Sequence, residues 1–307
     1  MASIRLWLVG SLGLGALVFG ACVGDDSSTN GDGGNPPADA TTGGDGSTTD
    51  ASDASVGPCN LAAPFQTPVQ VAGLPNPINS VVRLSPDELT AYFAMQVVDD
   101  GGPFALYQAT RPSLTGAFGA PVALDALNDD AGESDPAVST DGHDIVYVRS
   151  YGPPVPASQR DLWHASRSTL DASFANPAKI TGNVNSDVQD DYVSLEANDD
   201  LWFVSTRDAG GDHVIFHAVT AGGISYSSVS AAANINAPGS DQYYPVVTSD
   251  GLRIYYLRAQ LLFTATRAST SADFSSPTAV SELNVAFTDF RPAWVSPDGC
   301  RLYLTVG

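Results

Sequence analysis

The sequence predicts an all-β fold made of a tandem repeat, and two observations carry that reading. From residue 60 onward no stretch keeps a 3.6-residue apolar period, while short β-branched and aromatic runs recur between Gly, Pro, Asp and Asn clusters, as strands separated by tight turns do. Three markers then return in a fixed order at matching intervals, the signature of a repeat architecture.

The first marker reads SPDELTAYF at 85–93, STDGHDIVY at 139–147, LEANDDLWF at 195–203, TSDGLRIYY at 248–256 and SPDGCRLYL at 296–304. Its turn position falls on Asp87, Asp141, Ala197, Asp250 and Asp298, at spacings of 54, 56, 53 and 48. The next residue is Gly142, Gly251 or Gly299 in three copies and Asn198 in a fourth. Both types accept a positive φ readily, so each copy reads as a hairpin turn. Glu88 is the exception. A strand follows each turn, through Tyr92, Val146, Trp202, Tyr255 and Tyr303. The second marker is LYQATR at 106–111, LWHASR at 162–167, IFHAVT at 215–220 and LFTATR at 262–267. The third pairs Phe65 with Pro68, Phe118 with Pro121, Phe174 with Pro177 and Phe274 with Pro277, with a weaker copy at Tyr226 to Val229.

A unit of this size supplies about four strands and cannot bury both faces of its sheet alone, so the units stack around a common core as the blades of a β-propeller. Four complete blades fall near 79–125, 134–181, 190–231 and 242–281. A fifth begins at 289 and reaches Gly307 with two strands only, and the unpaired strand at 65–72 is placed to close it from the N-terminal side. The expectation is five blades, four of them four-stranded and one incomplete; the alternative is a truncated six-bladed ring. Cys59 precedes the closing strand and Cys300 lies in the last hairpin, so a disulfide between them would join the two halves of the closing blade.

The turn and strand of SPDGCRLYL resemble the WD-repeat-like units of TolB-type propellers, and the L-x-x-A-[TS]-R and F-x-x-P elements resemble those of lipid-anchored propellers of soil proteobacteria. The resemblance covers 60–307 and implies the fold. It assigns no activity, because propellers host binding, scaffolding and hydrolysis alike. The turn is also similar to the sialidase Asp-box, but glycine directly follows aspartate and the final tryptophan is absent.

Ahead of the repeat, residues 1–21 carry one positive charge at Arg5, an apolar run from Leu6 to Phe19 and two small residues, the layout of a secretory signal. The run is short of the roughly 20 residues a membrane-spanning helix needs. The string Phe19-Gly20-Ala21-Cys22 resembles the bacterial lipobox, with Phe where Leu is usual. That resemblance implies cleavage before Cys22, lipid attachment to it and display on the periplasmic or outer surface. Residues 24–57 hold neither an aromatic nor a basic side chain, so 22–57 is expected to be a disordered acidic linker, followed by the folded domain at 58–307.

Charge excludes further classes. The chain carries −21, and in 58–307 alone 27 acids face 12 bases, a net −15. Such a surface neither neutralises a phosphate backbone nor adheres to an anionic leaflet, which excludes nucleic acid and leaves the lipid as the membrane contact. Three cysteines cannot build a four-cysteine zinc site.

The candidate ligand residues lie in the connections entering each blade: ALNDDAGESD at 126–135, GNVNSDVQDD at 182–191, NINAPGSDQ at 234–242 and LNVAFTDF at 283–290. Asp129, Glu133, Asp135, Asp187, Asp191, Asp241 and Asp289 would share one rim at the channel mouth, where hard oxygen ligands suit Ca²⁺ or a partner's polar groups; alternatively they cap turns and solvate the surface. His164 and His217 occupy one repeat position with Gln108 and Thr264, as interchangeable polar strand residues, and His213 lies too far from His217 to share a metal. Arg111, Arg167 and Arg267 recur at one position and are expected to pair with a neighbouring blade or a turn aspartate. Trp163, Trp202 and Trp294 read as core. No nucleophile elbow, H-E-x-x-H helix or phosphate loop occurs. The resulting expectation is a monomeric, non-catalytic scaffold for a protein or cell-envelope glycan; the alternative is a glycan-active hydrolase or lyase using two rim carboxylates.

Overall fold

A computed structural model describes residues 59–306 apart from 76–77, 79, 97–102, 151–158, 209, 223–224 and 286–288, together with the backbone of strands at Leu6–Leu8 and Leu17–Cys22. The linker at 23–58 and the remainder of the leader lie outside the described residues.

Four antiparallel four-stranded sheets follow one another along the chain. The first holds Arg83–Leu84, Thr90–Gln96, Phe104–Thr110 and Val122–Ala123; the second Glu133–Val138, Asp144–Ser150, Arg160–Ser166 and Ala175–Lys179. The third holds Asp190–Leu195, Leu201–Ser205, Val214–Gly222 and Ser225–Ala231; the fourth Gln242–Val247, Arg253–Arg258, Leu261–Thr266 and Thr278–Ala279. A four-residue helix, Ser281–Asn284, leads into a fifth sheet that starts with Phe290–Val295 and Arg301–Val306.

Val69–Gln70 joins this fifth sheet as expected, but not beside Arg301–Val306. Leu17–Cys22 stands between them, with Leu17 opposite Val306 on one side and Phe19 opposite Gln70 on the other. An open strand edge accepts an apolar segment that can satisfy its ladder, and Leu17–Cys22 does so in the full chain.

Five apolar clusters identify the ring as five-bladed, because each lies between two successive blades. Phe93, Phe118 and Val82 pack with Ala293 and Tyr303, sealing the first blade on the fifth. Tyr92 and Leu106 meet Ile145 and Phe174, and Val148 and Leu162 meet Val193 and Phe203. Trp202 and Ile215 meet Tyr256 and Phe274, and Leu257 and Leu262 meet Phe290 and Leu304. Burial of these wedges, rather than of a central core, holds the ring together.

The turn marker closes itself chemically. Ser139 Oγ donates to Asp141 Oδ1 at 2.6 Å, the same Oδ1 accepts from His143 N, and Asp144 N donates back to Ser139 Oγ. Ser85 with Asp87, Thr248 with Asp250 and Ser296 with Asp298 repeat the device. In the third blade the register slips by one: Asn198, not Ala197, takes the aspartate's role by accepting from Asp200 N, and Asp199 adopts the left-handed φ of 64°.

Glu88 sits at φ 62° where three other turns have glycine, and its side chain explains the exception. Its carboxylate is gripped by Arg301 Nε at 2.9 Å on both oxygens and accepts from the Tyr303 hydroxyl. An ion pair between the first and fifth blades thus stands where a glycine would make none. The recurring arginines act in the same spirit. Arg111, Arg167 and Arg267 each donate Nε to the carbonyl of the left-handed turn residue, Glu88, Gly142 and Gly251. Each also lies over the F-x-x-P phenylalanine of its own blade. Arg267 reaches on to Glu196 of the third blade at 2.8 Å and Arg167 to Tyr92 of the first.

Candidate functional site

The first strand of every blade lines the central channel. At the end bearing the aspartate turns, the passage narrows to a cavity of about 40 Å³ walled by Leu84, Val138, Leu195, Val247 and Val295 among others. Above it the channel is stoppered by Arg83. This guanidinium, 2 % exposed, donates to the carbonyls of Ala293 and Val193 and, at 3.4 Å, of Pro245. One side chain of the first blade therefore binds the third, fourth and fifth. Burial pulls its pKa down to about 10, opposed by the charge of Asp135 in the second blade.

The first strands of blades two to five all carry a bulge, at Ser134/Ala137, Asp191/Ser194, Tyr243/Val246 and Pro292/Trp294. In three of them the bulge holds a non-glycine residue at positive φ: Asp135 at 47°, Tyr192 at 52° and Tyr244 at 53°. Bulges re-aim side chains, and here they gather Asp135, Tyr192 and Tyr244 at the throat above Arg83.

Asp191 joins them there. Burial, reinforced by the neighbouring Asp135 charge, raises its carboxyl to about 7, although Arg160 donates to it at 2.6 Å and Gln189 also donates. Burial raises Asp135 too, against a hydrogen bond from Ser134 and the charges of Arg160 and Arg83.

Beyond the throat the rim opens into a pocket of about 330 Å³ between the third, fourth and fifth blades. Tyr192, Tyr243 and Tyr244 form one wall, with ring centroids 4.3 Å apart for Tyr192 and Tyr244 and 5.7 Å for Tyr192 and Tyr243. His213 tilts against Tyr243 at 4.7 Å and donates its backbone N–H to Asp241 at 2.8 Å. These contacts, the backbone N–H first, hold the Asp241 carboxyl below its usual range. Burial pushes both Tyr243 and Tyr244 up to about 12, so both rings stay neutral phenols. Gln260, Asp289 and Arg291 complete the mouth, and Arg291 lies 5.7 Å from the centre of Tyr244.

The seven rim acids do not converge on one point. Asp135 and Asp191 meet at the throat, and Asp241 and Asp289 flank the pocket. Asp129 and Glu133 form a separate group around Arg149, and Asp187 is exposed on its own connection. Among the described residues no three His, Cys, Asp or Glu side chains are placed to hold a metal ion. The asparagines of the same connections are structural: Asn128, Asn185, Asn236 and Asn284 each accept from and donate to one backbone residue, Leu106, Leu162, Ile215 and Leu262 respectively. Each extends the third strand's ladder with a side chain.

Glu133 has a measurable consequence. Burial, with the nearby Asp130 charge, raises its carboxyl from 4.5 to about 8 even though Arg149 Nε stands 3.8 Å away. Between those values the folded state holds a proton the unfolded chain has released, so stability is fully present below pH 4.5 and is lost as pH rises toward 8. Glu133→Gln is expected to remove that loss. Urea midpoints of variant and wild type should diverge steadily from pH 5 to pH 8, in the variant's favour, with a limiting slope of about 1.4 kcal/mol per pH unit; a constant difference across that range refutes it.

Arg83, Tyr192, Tyr243, Tyr244, His213 and Arg291 were not singled out by the sequence as site residues. Only Arg83 left a signal, as a cation at a repeat position where the other blades have Ala137, Ser194, Val246 and Trp294.

Fold and site together define a five-bladed β-propeller with a stoppered channel and an aromatic pocket on one rim. No family model and no curated protein matches the chain. A solved structure described as TolB from Agrobacterium tumefaciens does, at 17 % identity and a TM-score of 0.51, covering 80 % of this chain and 80 % of that one. A protein of unknown function from Dyadobacter fermentans aligns at 9 % identity and a TM-score of 0.48, covering 68 % of this chain and 71 % of that one. A puromycin-hydrolysing peptidase from Mycobacterium tuberculosis aligns at 16 % and 0.39, covering 68 % and 33 %. The fold is that of a TolB-like propeller.

Proposed function

We propose that this chain is an exported, lipid-anchored binding module that holds a cell-envelope partner, protein or glycan, on the rim bearing the tyrosine pocket. The observation that supports it is the contrast between the two ends of the channel. One end is closed to a cavity of about 40 Å³ below Arg83, whose two terminal nitrogens are held by backbone carbonyls of three blades, while the other presents a wider concave surface of about 330 Å³ with mixed donors and acceptors, as binding sites do. The TolB-like fold agrees with a scaffold role and with a periplasmic or outer-surface location. In the anchored form Cys22 carries the lipid and 23–57 is the tether. Cleavage before Cys22 removes Leu17–Ala21 from the fifth sheet, so precursor and mature protein differ there. Among the described residues no helix is long and apolar enough to cross a membrane.

Cross-linking the protein in cells tests the reading. Wild type is expected to capture a stoichiometric partner that Asp289→Arg, placed in the pocket mouth, fails to capture while still reaching the membrane. Capture by both proteins alike rejects the rim as the binding face. Cys22→Ser should release the protein from the membrane fraction; retention there rejects the anchor.

A further inference from the structure

From the chemistry of the rim pocket we propose that its ligand is an uncharged sugar, a pyranose ring held against the tyrosine wall; the inference rests on the rim being the binding face. A sugar ring offers two surfaces of different character. Its C–H faces suit aromatic rings, and its edge is a belt of hydroxyl groups that both donate and accept. The pocket offers the complement of each. Tyr192, Tyr243 and Tyr244 are locked against one another and against His213, so little side-chain entropy is lost when a ligand settles on them. Around them stand an acceptor, Asp289, a donor, Arg291, and an amide that does both, Gln260.

Charge and desolvation weigh against the other ligand classes. An anion would face Asp289 and Asp241, the latter held ionised at neutral pH by His213 and Tyr243, on a domain of net −15. A cation would be drawn by those same acids, but the Tyr244 face on which it would stack already has the Arg291 guanidinium 5.7 Å from its ring centre. A purely apolar ligand would desolvate Asp289, Arg291 and Gln260 without replacing their water hydrogen bonds. What remains is a neutral ligand with apolar faces and a hydroxylated edge. A cavity of about 330 Å³ lies at the small end of ligand sites, suited to one or two sugar units of a longer chain rather than a globular surface.

Calorimetric titration of the purified, disulfide-intact protein with cellotetraose, xylotetraose, mannotetraose, chitotetraose and tetragalacturonate tests this. At least one neutral tetrasaccharide is expected to bind and the anionic one is not. Tyr243→Ala should weaken binding about tenfold, equivalent to about 1.4 kcal/mol, while Tyr243→Phe, which keeps the ring, retains most of it. Asp289→Asn should weaken binding without changing the melting temperature. The proposal is overturned if no neutral sugar binds, if tetragalacturonate binds best, or if Tyr243→Ala binds like wild type. If sugars fail but Asp289→Arg still loses its partner in cells, the sugar assignment is wrong and the binding face stands; if neither responds, both fall.

Discussion

Arg83→Met is expected to destabilise the protein by about 3–5 kcal/mol, the usual consequence of removing one member of a buried charged network. Methionine fills much of the same volume, so the loss would come from polar groups rather than from a cavity. The carbonyls of Val193, Pro245 and Ala293 lose their shared donor, and Asp135 loses a neighbouring positive charge. Three blades are affected at once, so the drop should appear as one cooperative transition at lower urea, with a melting temperature lower by about 10 °C for a domain of this size. A change below about 1 kcal/mol would mean that the stopper's desolvation cost cancels its bonds.

Breaking the disulfide should have an effect of similar size. Cys59 and Cys300 are bonded across a separation of 241 residues, and loop-entropy estimates for such a span give on the order of 5 kcal/mol, an upper limit. Reductant is expected to lower the urea midpoint of wild type to that of the Cys59→Ser, Cys300→Ser double variant, and to leave the variant where it was. Equal midpoints for oxidised and reduced wild type would show that Glu88, Arg301 and the first-to-fifth wedge close the ring without help.

What could be read from the sequence was what repeats. The S-x-D turn announces itself because a hydroxyl and a carboxylate at fixed spacing close it locally, and the L-x-x-A and F-x-x-P elements because each blade needs the same wedge. Residues that depart from the repeat were harder. Glu88 was visible as an exception, but its reason, Arg301, lies in another blade. Asn198 was placed at the left-handed position because the third turn is a residue shorter, which moves that role to Asp199. The tyrosine pocket was illegible: Tyr192 and Tyr243 come from different blades, and a bulge sets where Tyr244 points. The rim acids read as residues of the blade-entering connections, whereas Glu133, Asp135 and Asp191 fall within the first strands, and spacing alone does not show that arginines and backbone N–H groups divide them into separate groups.

Closure between the first and last blades also fixes an order of events. Val82 donates to Thr305, Phe65 to Glu282 and Arg301 to Glu88, partners all more than 200 residues apart. A chain that emerges from its N-terminus, at a ribosome or at an export pore, presents one member of each pair long before the other. Contacts this distant form slowly, so every nascent molecule passes through a stage with its internal wedges packed while the outer face of the first blade is still bare. During that interval the chain depends on carriers or on speed to escape proteases and its own neighbours.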